Sequence, residues 1–332
     1  MADLTTKYMG LTLRNPIIVA SSGLTDSFEK IKEHGKNNAG AVVLKSLFEE
    51  QIILEAEHKL SKARKNSFLY TENSETLDYL DVHLKDKELS NYLAMIRRIK
   101  DELHIPVIAS VNCVSAVEWT GFAKQIEEAG ADAIELNIFI LPFDLEHSCK
   151  ETEEMYYEIV RKVRKEVQIP LAVKISPFFS NLGQVIKNIE KEGADSVVLF
   201  NRFSRPNIDI NSMKVSVAEA FSTPEEMYNT LRWIAIMANR TELDLAATTG
   251  IHNGESVVKQ ILAGASVVQV ASALYKNGND YISEMIRFVD NWMDSKGFNY
   301  TDQFKGRLSQ EKSTHPEIYE RIQFMKYFSE IK

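Results

Sequence analysis

The stretches 127–137 (EEAGADAIELN), 190–201 (EKEGADSVVLFN) and 262–272 (LAGASVVQVAS) share one plan: a helical run, a glycine, then a short apolar β-rich run. Glycine tolerates the left-handed conformation that ends a helix, so Gly130, Gly193 and Gly264 read as helix caps and not as ligand contacts. Working outward, the same alternation predicts strands at 16–20 (PIIVA), 41–45 (AVVLK), 106–111 (PVIASV), 132–137 (DAIELN), 170–175 (PLAVKI), 196–201 (SVVLFN), 243–248 (LDLAAT) and 266–271 (SVVQVA). Strands alternating with helical periodicity build a parallel sheet covered by helices. Eight of them suggest closure into a (β/α)8 TIM barrel. Pro106 and Pro170 open their strands, where a missing N–H is tolerated.

Two connections are too long for plain turns, at about 48–90 and about 202–223, and both are expected to overhang the C-terminal face. A charged, aromatic tail at about 291–332 reads as helical segments outside the barrel, so residues 1–332 form a single domain. The net charge of -8 and pI near 5.5 argue against nucleic acid, whose binders concentrate basic surface. The basic run 59–65 (KLSKARK) reads as a solvated face. Cys113 and Cys149 are the only cysteines, so no disulfide framework or CxxC metal motif is expected, and a reducing compartment fits. The first ten residues lack a signal-peptide pattern and no apolar run is long enough for a membrane span, so a cytoplasmic protein is expected.

Active sites of such barrels sit at the C-terminal strand ends. Lys45, Asn112, Asn137, Lys174 and Asn201 all fall there. An inward lysine among Val42, Val43 and Leu44, or beside Val173 and Ile175, costs several kcal/mol unless it meets an anion or acceptor. That partner is either a polar, electron-accepting ligand or a core carboxylate such as Glu135. After the last two strands come Thr248, Thr249, Gly250 and Ile251, then Ala271 and Ser272, the place where such barrels bind phosphate. No GxGxxG or P-loop pattern occurs.

The segments LRNPIIVASSG, AVVLKS, ADAIELN, PLAVKIS and TTGIHNGESVVKQILAGASVVQVASAL, taken together, resemble the dihydroorotate dehydrogenase family over about residues 4–275, and its soluble class 1 members most. The resemblance implies FMN over the strand ends. It implies that Lys45 contacts the flavin, that Lys174 neighbours its ring, and that Ala20 and Ser21 hold the ring. The phosphate would lie at Gly250, Ala271 and Ser272, while Asn137 and Asn201 reach ring or substrate; Asn112 and Thr249 join the cofactor set from their places at the strand ends. A homodimer is also implied, while the electron acceptor stays open among fumarate, a quinone, NAD through a separate partner subunit and a ferredoxin, and any iron–sulfur relay must belong to another chain.

The sequence departs from the family after Asn137. Ile138 to Phe143 replace a polar run that carries the general base, and Ile140, which cannot accept a proton, holds the base position. His147, Ser148 and Cys149 follow in the same loop, and Cys149 is the candidate substitute base. Asn66 and Ser67 are the nearest match to the family's substrate amides. The leading expectation is an FMN-dependent oxidoreductase that passes hydride between a CH–CH unit of a small cyclic substrate and flavin, with dihydroorotate to orotate, a pyrimidine-biosynthetic step, as the family-derived substrate. Two alternatives stay open. One is a non-redox lyase or isomerase that binds a phosphate ester, with Lys174 or Lys45 as its Schiff-base or acid–base group. The other is a flavin-binding protein whose catalysis has lapsed or altered.

Overall fold

In the computed structural model, which describes residues 2–48, 74–112 and 116–320, alternating strands and helices close into a barrel. An antiparallel hairpin of β1 (Thr6–Tyr8) and β2 (Leu11–Leu13) precedes it. The wall follows: β3 (Ile17–Val19), β4 (Ala41–Val43), β5 (Leu47–Phe48), β6 (Val107–Asn112), β7 (Ala133–Asn137), β8 (Leu171–Ile175) and β9 (Ser196–Leu199). After an exposed antiparallel hairpin, β10 (Pro206–Asp209) and β11 (Lys214–Val217), come β12 (Asp244–Thr248) and β13 (Val267–Val270). The parallel order is β4-β3-β13-β12-β9-β8-β7-β6, and pairing of β4 with β6 closes the ring. The short β5 extends the wall beside the end of β6.

The helices wrap this ring with their apolar faces inward. Leu182–Lys191 buries Leu182, Val185, Ile186 and Ile189, one stripe of a 3.6-residue period. Its start is capped by Asn181, whose side chain accepts from Gln184 N–H at 3.1 Å. Gly264 ends the Gly254–Ala263 helix at φ +130°, and a Cβ there would sit 2.3 Å from the Ala238 methyl. Both the cap and the close approach therefore require glycine.

Side chains alternate along each strand, so the inward set can be read off by twos. A lower layer of Ile18, Ala41, Val43, Ile108, Ala133, Ala172, Val198, Ala246 and Val267 is packed from below by Tyr8, Met9 and Leu13 of the first hairpin. One step up, the inward positions turn polar: Ser110, Glu135, Lys174 and Gln269. The barrel is thus sealed at its base and polar towards its C-terminal mouth.

Most strands lie where the sequence places them, but two end early. The second wall strand stops at Val43, so Lys45 stands beyond the sheet, solvent-exposed, with its backbone N–H on Thr25 O at 3.2 Å. The inward lysine expected there is corrected accordingly. The strand expected at 196–201 stops at Leu199. The long connection at 202–223 holds the β10–β11 hairpin, and the first long connection is partly the Ser74–Glu102 helix. The run 59–65 and the pair Asn66 and Ser67 lie outside the described residues. The tail begins earlier than expected, as the helix Tyr281–Lys296 followed by a 3-10 turn at Thr301–Gln303, with Tyr300 bridged to Asp3. No helix among the described residues is long and apolar enough to cross a membrane.

His34, fully buried in the Phe28–Lys36 helix, donates from Nε2 to Leu24 O at 3.0 Å, while its Nδ1 has no partner. Burial lowers its pKa below the ordinary 6.5. A base whose pKa is lower folded than unfolded favours the unfolded chain once protonated, so it stabilises the fold above pH 6.5 and loses that contribution as pH falls through the folded value. Melting temperature is therefore expected to drop on acidification below about pH 6.5, more steeply than in His34→Gln. Parallel profiles for the two would contradict it.

Candidate active site

A cavity of about 350 Å³ opens at the C-terminal mouth of the barrel. It is lined by Ala20 and Ser21 after β3, Asn137 and Phe139 after β7, Lys174 on β8, Phe200 and Asn201 after β9, Thr248 to Ile251 after β12, and Gln269 to Ser272 at the end of β13. Strand geometry explains the convergence: Lys174, one inward step above Ala172, pairs in register with Asn137, two inward steps above Ala133.

The floor is polar and closed. Lys174 Nζ lies 3.6 Å from Glu135 Oε1 and 3.4 Å from Gln269 Oε1, and Gln269 Nε2 donates to Glu135 Oε2 at 2.6 Å. The inward lysine thus meets the core carboxylate. Burial pushes the phenols of Tyr8 and Tyr92 well above their ordinary 10, and the Glu135 charge adds to both, so both remain neutral. Beside the floor runs a chain of hydroxyls. Ser21 Oγ is 3.1 Å from Ser46 Oγ, which is 2.7 Å from Ser110 Oγ, and Asn137 Nδ2 donates to Ser46 Oγ at 3.4 Å. Asn137 Oδ1 is buried without a protein partner. Asn201 is more committed: its Nδ2 donates to Ile138 O at 2.9 Å and Lys174 O at 3.3 Å, which leaves its oxygen as the group it offers.

The opposite end is built by hydroxyls on turns. Thr249 and Gly250 take left-handed φ of 70° and 76°, turning the chain sharply after β12. Ser272 Oγ accepts from Ser222 N–H at 3.0 Å, and Ser222 Oγ meets His252 Nε2 at 3.1 Å. Burial first, and then the nearby Lys276 ammonium, lower the His252 pKa below 6.5, so near neutral pH this end holds a neutral imidazole.

The remaining walls are apolar and aromatic. Phe139 stacks on Phe203 with centroids 4.0 Å apart, and Phe178 meets Phe203 edge-on at 5.2 Å. A second cavity of about 360 Å³ adjoins here and shares Phe200, Asn201, Arg202 and Thr249 with the first. The Arg202 guanidinium is occupied by Glu226 and by the carbonyls of Glu219, Ala220 and Phe221, which ties the loop after β11 to the barrel.

Of the residues expected at the site, Ala20, Ser21, Asn137, Lys174, Asn201, Thr249, Gly250, Ala271 and Ser272 line this one cavity. Lys45 is exposed and outside the lining, and Asn112 is half-buried on β6 opposite Phe48, also outside it. Cys149 does not fold back over the mouth. It is exposed in the first turn of Cys149–Glu166, where Ser148 and Glu151 form a capping box and His147 pairs with Asp144 at 2.7 Å. Cys149→Ser is therefore expected to leave ligand affinity at this cavity within about twofold of wild type, a change worth under 0.5 kcal/mol. A larger loss of affinity on fluorescence titration would place the thiol at the mouth after all. Ile140 packs against the core, and its carbonyl accepts from Tyr156 Oη at 3.5 Å. Sequence reasoning missed Ser46, Ser110 and Gln269. Ser110 and Gln269 carried a signal, since each is a polar side chain at an inward position of an apolar strand. No group of three or more metal-binding side chains occurs among the described residues.

The sequence profile of the dihydroorotate dehydrogenase family matches residues 3–293. The catalytic subunit of dihydroorotate dehydrogenase B (NAD(+)) from Thermoplasma volcanium is 30% identical over 319 residues, covering 92% of this chain and 98% of its own. Its counterpart from Thermoplasma acidophilum is 28% identical over 312 residues, covering 90% and 96%. The NAD-dependent dihydropyrimidine dehydrogenase subunit PreA of Escherichia coli K12 is 24% identical over 324 residues, covering 92% of this chain and 76% of its own.

Proposed function

The chain belongs to the dihydroorotate dehydrogenase family, and from that premise we propose that it is an FMN-dependent oxidoreductase that passes hydride between a CH–CH unit of a small cyclic amide and the flavin, with dihydroorotate as the first substrate to test. Family membership sets aside the phosphate-ester lyase reading.

The observation that carries the reading is the lining of the cavity. The lining offers a lysine and two amide oxygens from β7, β8 and the segment after β9, and hydroxyls of Thr249, on a left-handed turn, and of Ser272, at a helix start, together with the apolar Phe48, Phe139, Phe200, Ile251 and Val270. That donor set fits a planar, polar ring joined to a phosphate. The unpartnered Asn137 Oδ1 is the kind of buried acceptor that an N–H of ring or substrate satisfies. Ser21, Lys174 and Asn137 would hold the ring, and Thr249, Gly250, Ala271 and Ser272 the phosphate. FMN, when bound, supplies the hydride chemistry.

The chain's own part is position and charge. Among the described residues that line the cavity, Lys174 is the one titratable side chain besides Arg202. Ion-paired with Glu135, it balances negative charge and orients a carbonyl. Asn137 and Asn201 present oxygens to substrate N–H groups. We place the enzyme in the cytoplasm as a homodimer of single-domain chains that passes electrons to a separate subunit. Support for that last step is the catalytic-subunit naming of the Thermoplasma relative.

Anaerobic mixing of the FMN-loaded protein with dihydroorotate tests the reading, with bleaching of the flavin band expected. A band that dithionite bleaches and dihydroorotate does not would replace the substrate and favour altered catalysis.

A further inference from the structure

Glu135 is not itself part of the cavity lining and is 1% exposed, yet it is an ionisable group at the heart of the barrel, in contact with two residues that do line the cavity. β7 and β13 face each other across the ring, so the 2.6 Å bond from Gln269 Nε2 to Glu135 Oε2 spans the interior. Lys174 closes the triangle from the strand beside β7, at 3.4 Å from Gln269 Oε1 and 3.6 Å from Glu135 Oε1. The three groups fix one another. The carboxylate only accepts and the ammonium only donates, so a single orientation of the Gln269 amide serves both.

A floor needs no charge. The layer directly below is alanine, valine and isoleucine, and replacing a buried ion pair with packed apolar side chains is often neutral or stabilising. One further feature of the carboxylate is unexplained by packing: Oε1 has no hydrogen bond, and its nearest cation is the Lys174 ammonium. The negative charge is therefore aimed at the group that faces the cavity.

We propose that Glu135 is a positioning residue that, with Gln269, fixes Lys174 and sets the net charge beneath the flavin ring, and thereby the reduction potential of the cofactor. The inference rests on the flavin reading above. With Glu135 ionised the triad is neutral; without that charge the floor is a bare cation. Reduction adds negative charge to the ring, so a bare cation favours the reduced state and the wild-type pair holds it in check.

The test is the midpoint potential of the FMN-loaded protein, read by equilibration with a reference dye. Glu135→Gln, which keeps the shape and the cross-barrel contact, is expected to shift the equilibrium towards reduced flavin at least tenfold, about 30 mV upward for a two-electron couple. Glu135→Asp keeps the charge and is expected to stay within threefold of wild type. Should Glu135→Gln not fold, the same upward shift is expected between Lys174→Met and Lys174→Met/Glu135→Gln. An FMN-loaded Glu135→Gln with the wild-type potential, or two lysine variants with equal potentials, would overturn the proposal and leave the flavin reading intact. A wild-type protein that binds no FMN would remove the flavin reading itself.

Discussion

Lys174→Met is expected to destabilise the protein by about 3 kcal/mol, and adding Glu135→Gln to the same chain to recover most of that loss. The reason is the geometry of the floor. Lys174 has a side chain 11% exposed and Glu135 one 1% exposed, 3.6 Å apart, so removing the ammonium leaves a buried carboxylate without its cation. Methionine fills the space of the lysine stem and keeps its packing, which isolates the lost charge. Urea denaturation of the two single variants and the double variant measures this as a coupling between the sites. Additive losses would mean that the pair does not interact in the folded state.

Gly250→Ala is expected to cost at least about 3 kcal/mol and to abolish flavin binding. A Cβ at Gly250 would lie 2.2 Å from Met227 N and 2.9 Å from Glu226 C, both backbone atoms where the Pro224–Glu226 turn enters the Met227–Met237 helix that precedes β12. Backbone cannot rotate away as a side chain can, so either the β12 turn or that helix start must move, and Thr249 moves with it. Gly297 supplies the control. It has nearly the same φ, +71°, but nothing within 4 Å of its Cβ position. Gly297→Ala is therefore expected to lose only about 1 kcal/mol, the strain of the left-handed conformation alone. Equal losses at the two positions would show that conformation, and not contact with the Glu226–Met227 backbone, is what requires glycine at 250.

The barrel was legible because its strands are buried on both faces and read as short continuous apolar runs. Six of the expected strands end within one residue of the observed ones, for instance 132–137 against Ala133–Asn137. The overruns at 41–45 and 196–201 share a cause. In both, the apolar run continues past the last strand residue, as Leu44 and Phe200 stay buried after the strand has ended. Burial is visible in the sequence, but the place where a chain leaves the sheet is not. Lys45 was misjudged for that reason, since strand parity says nothing once the strand is over. The hairpin β1–β2 escaped notice because three-residue strands carry too few positions for a period. The site itself was read from polar residues that end strands, a rule that found Asn137 and Asn201 and passed over Ser110 and Gln269 in mid-strand. The β10–β11 hairpin, exposed throughout, lacks the buried face that makes a strand readable.

Equilibrium titration of the purified protein with FMN, followed by quenching of flavin fluorescence, tests the central claim most directly. Saturation at one FMN per chain in the wild type is expected, with at least tenfold weaker binding in Ser272→Asp, which sets a negative charge where the cofactor phosphate is proposed to lie. No saturable binding, or equal affinity in the variant, would contradict the assignment of this cavity to the cofactor.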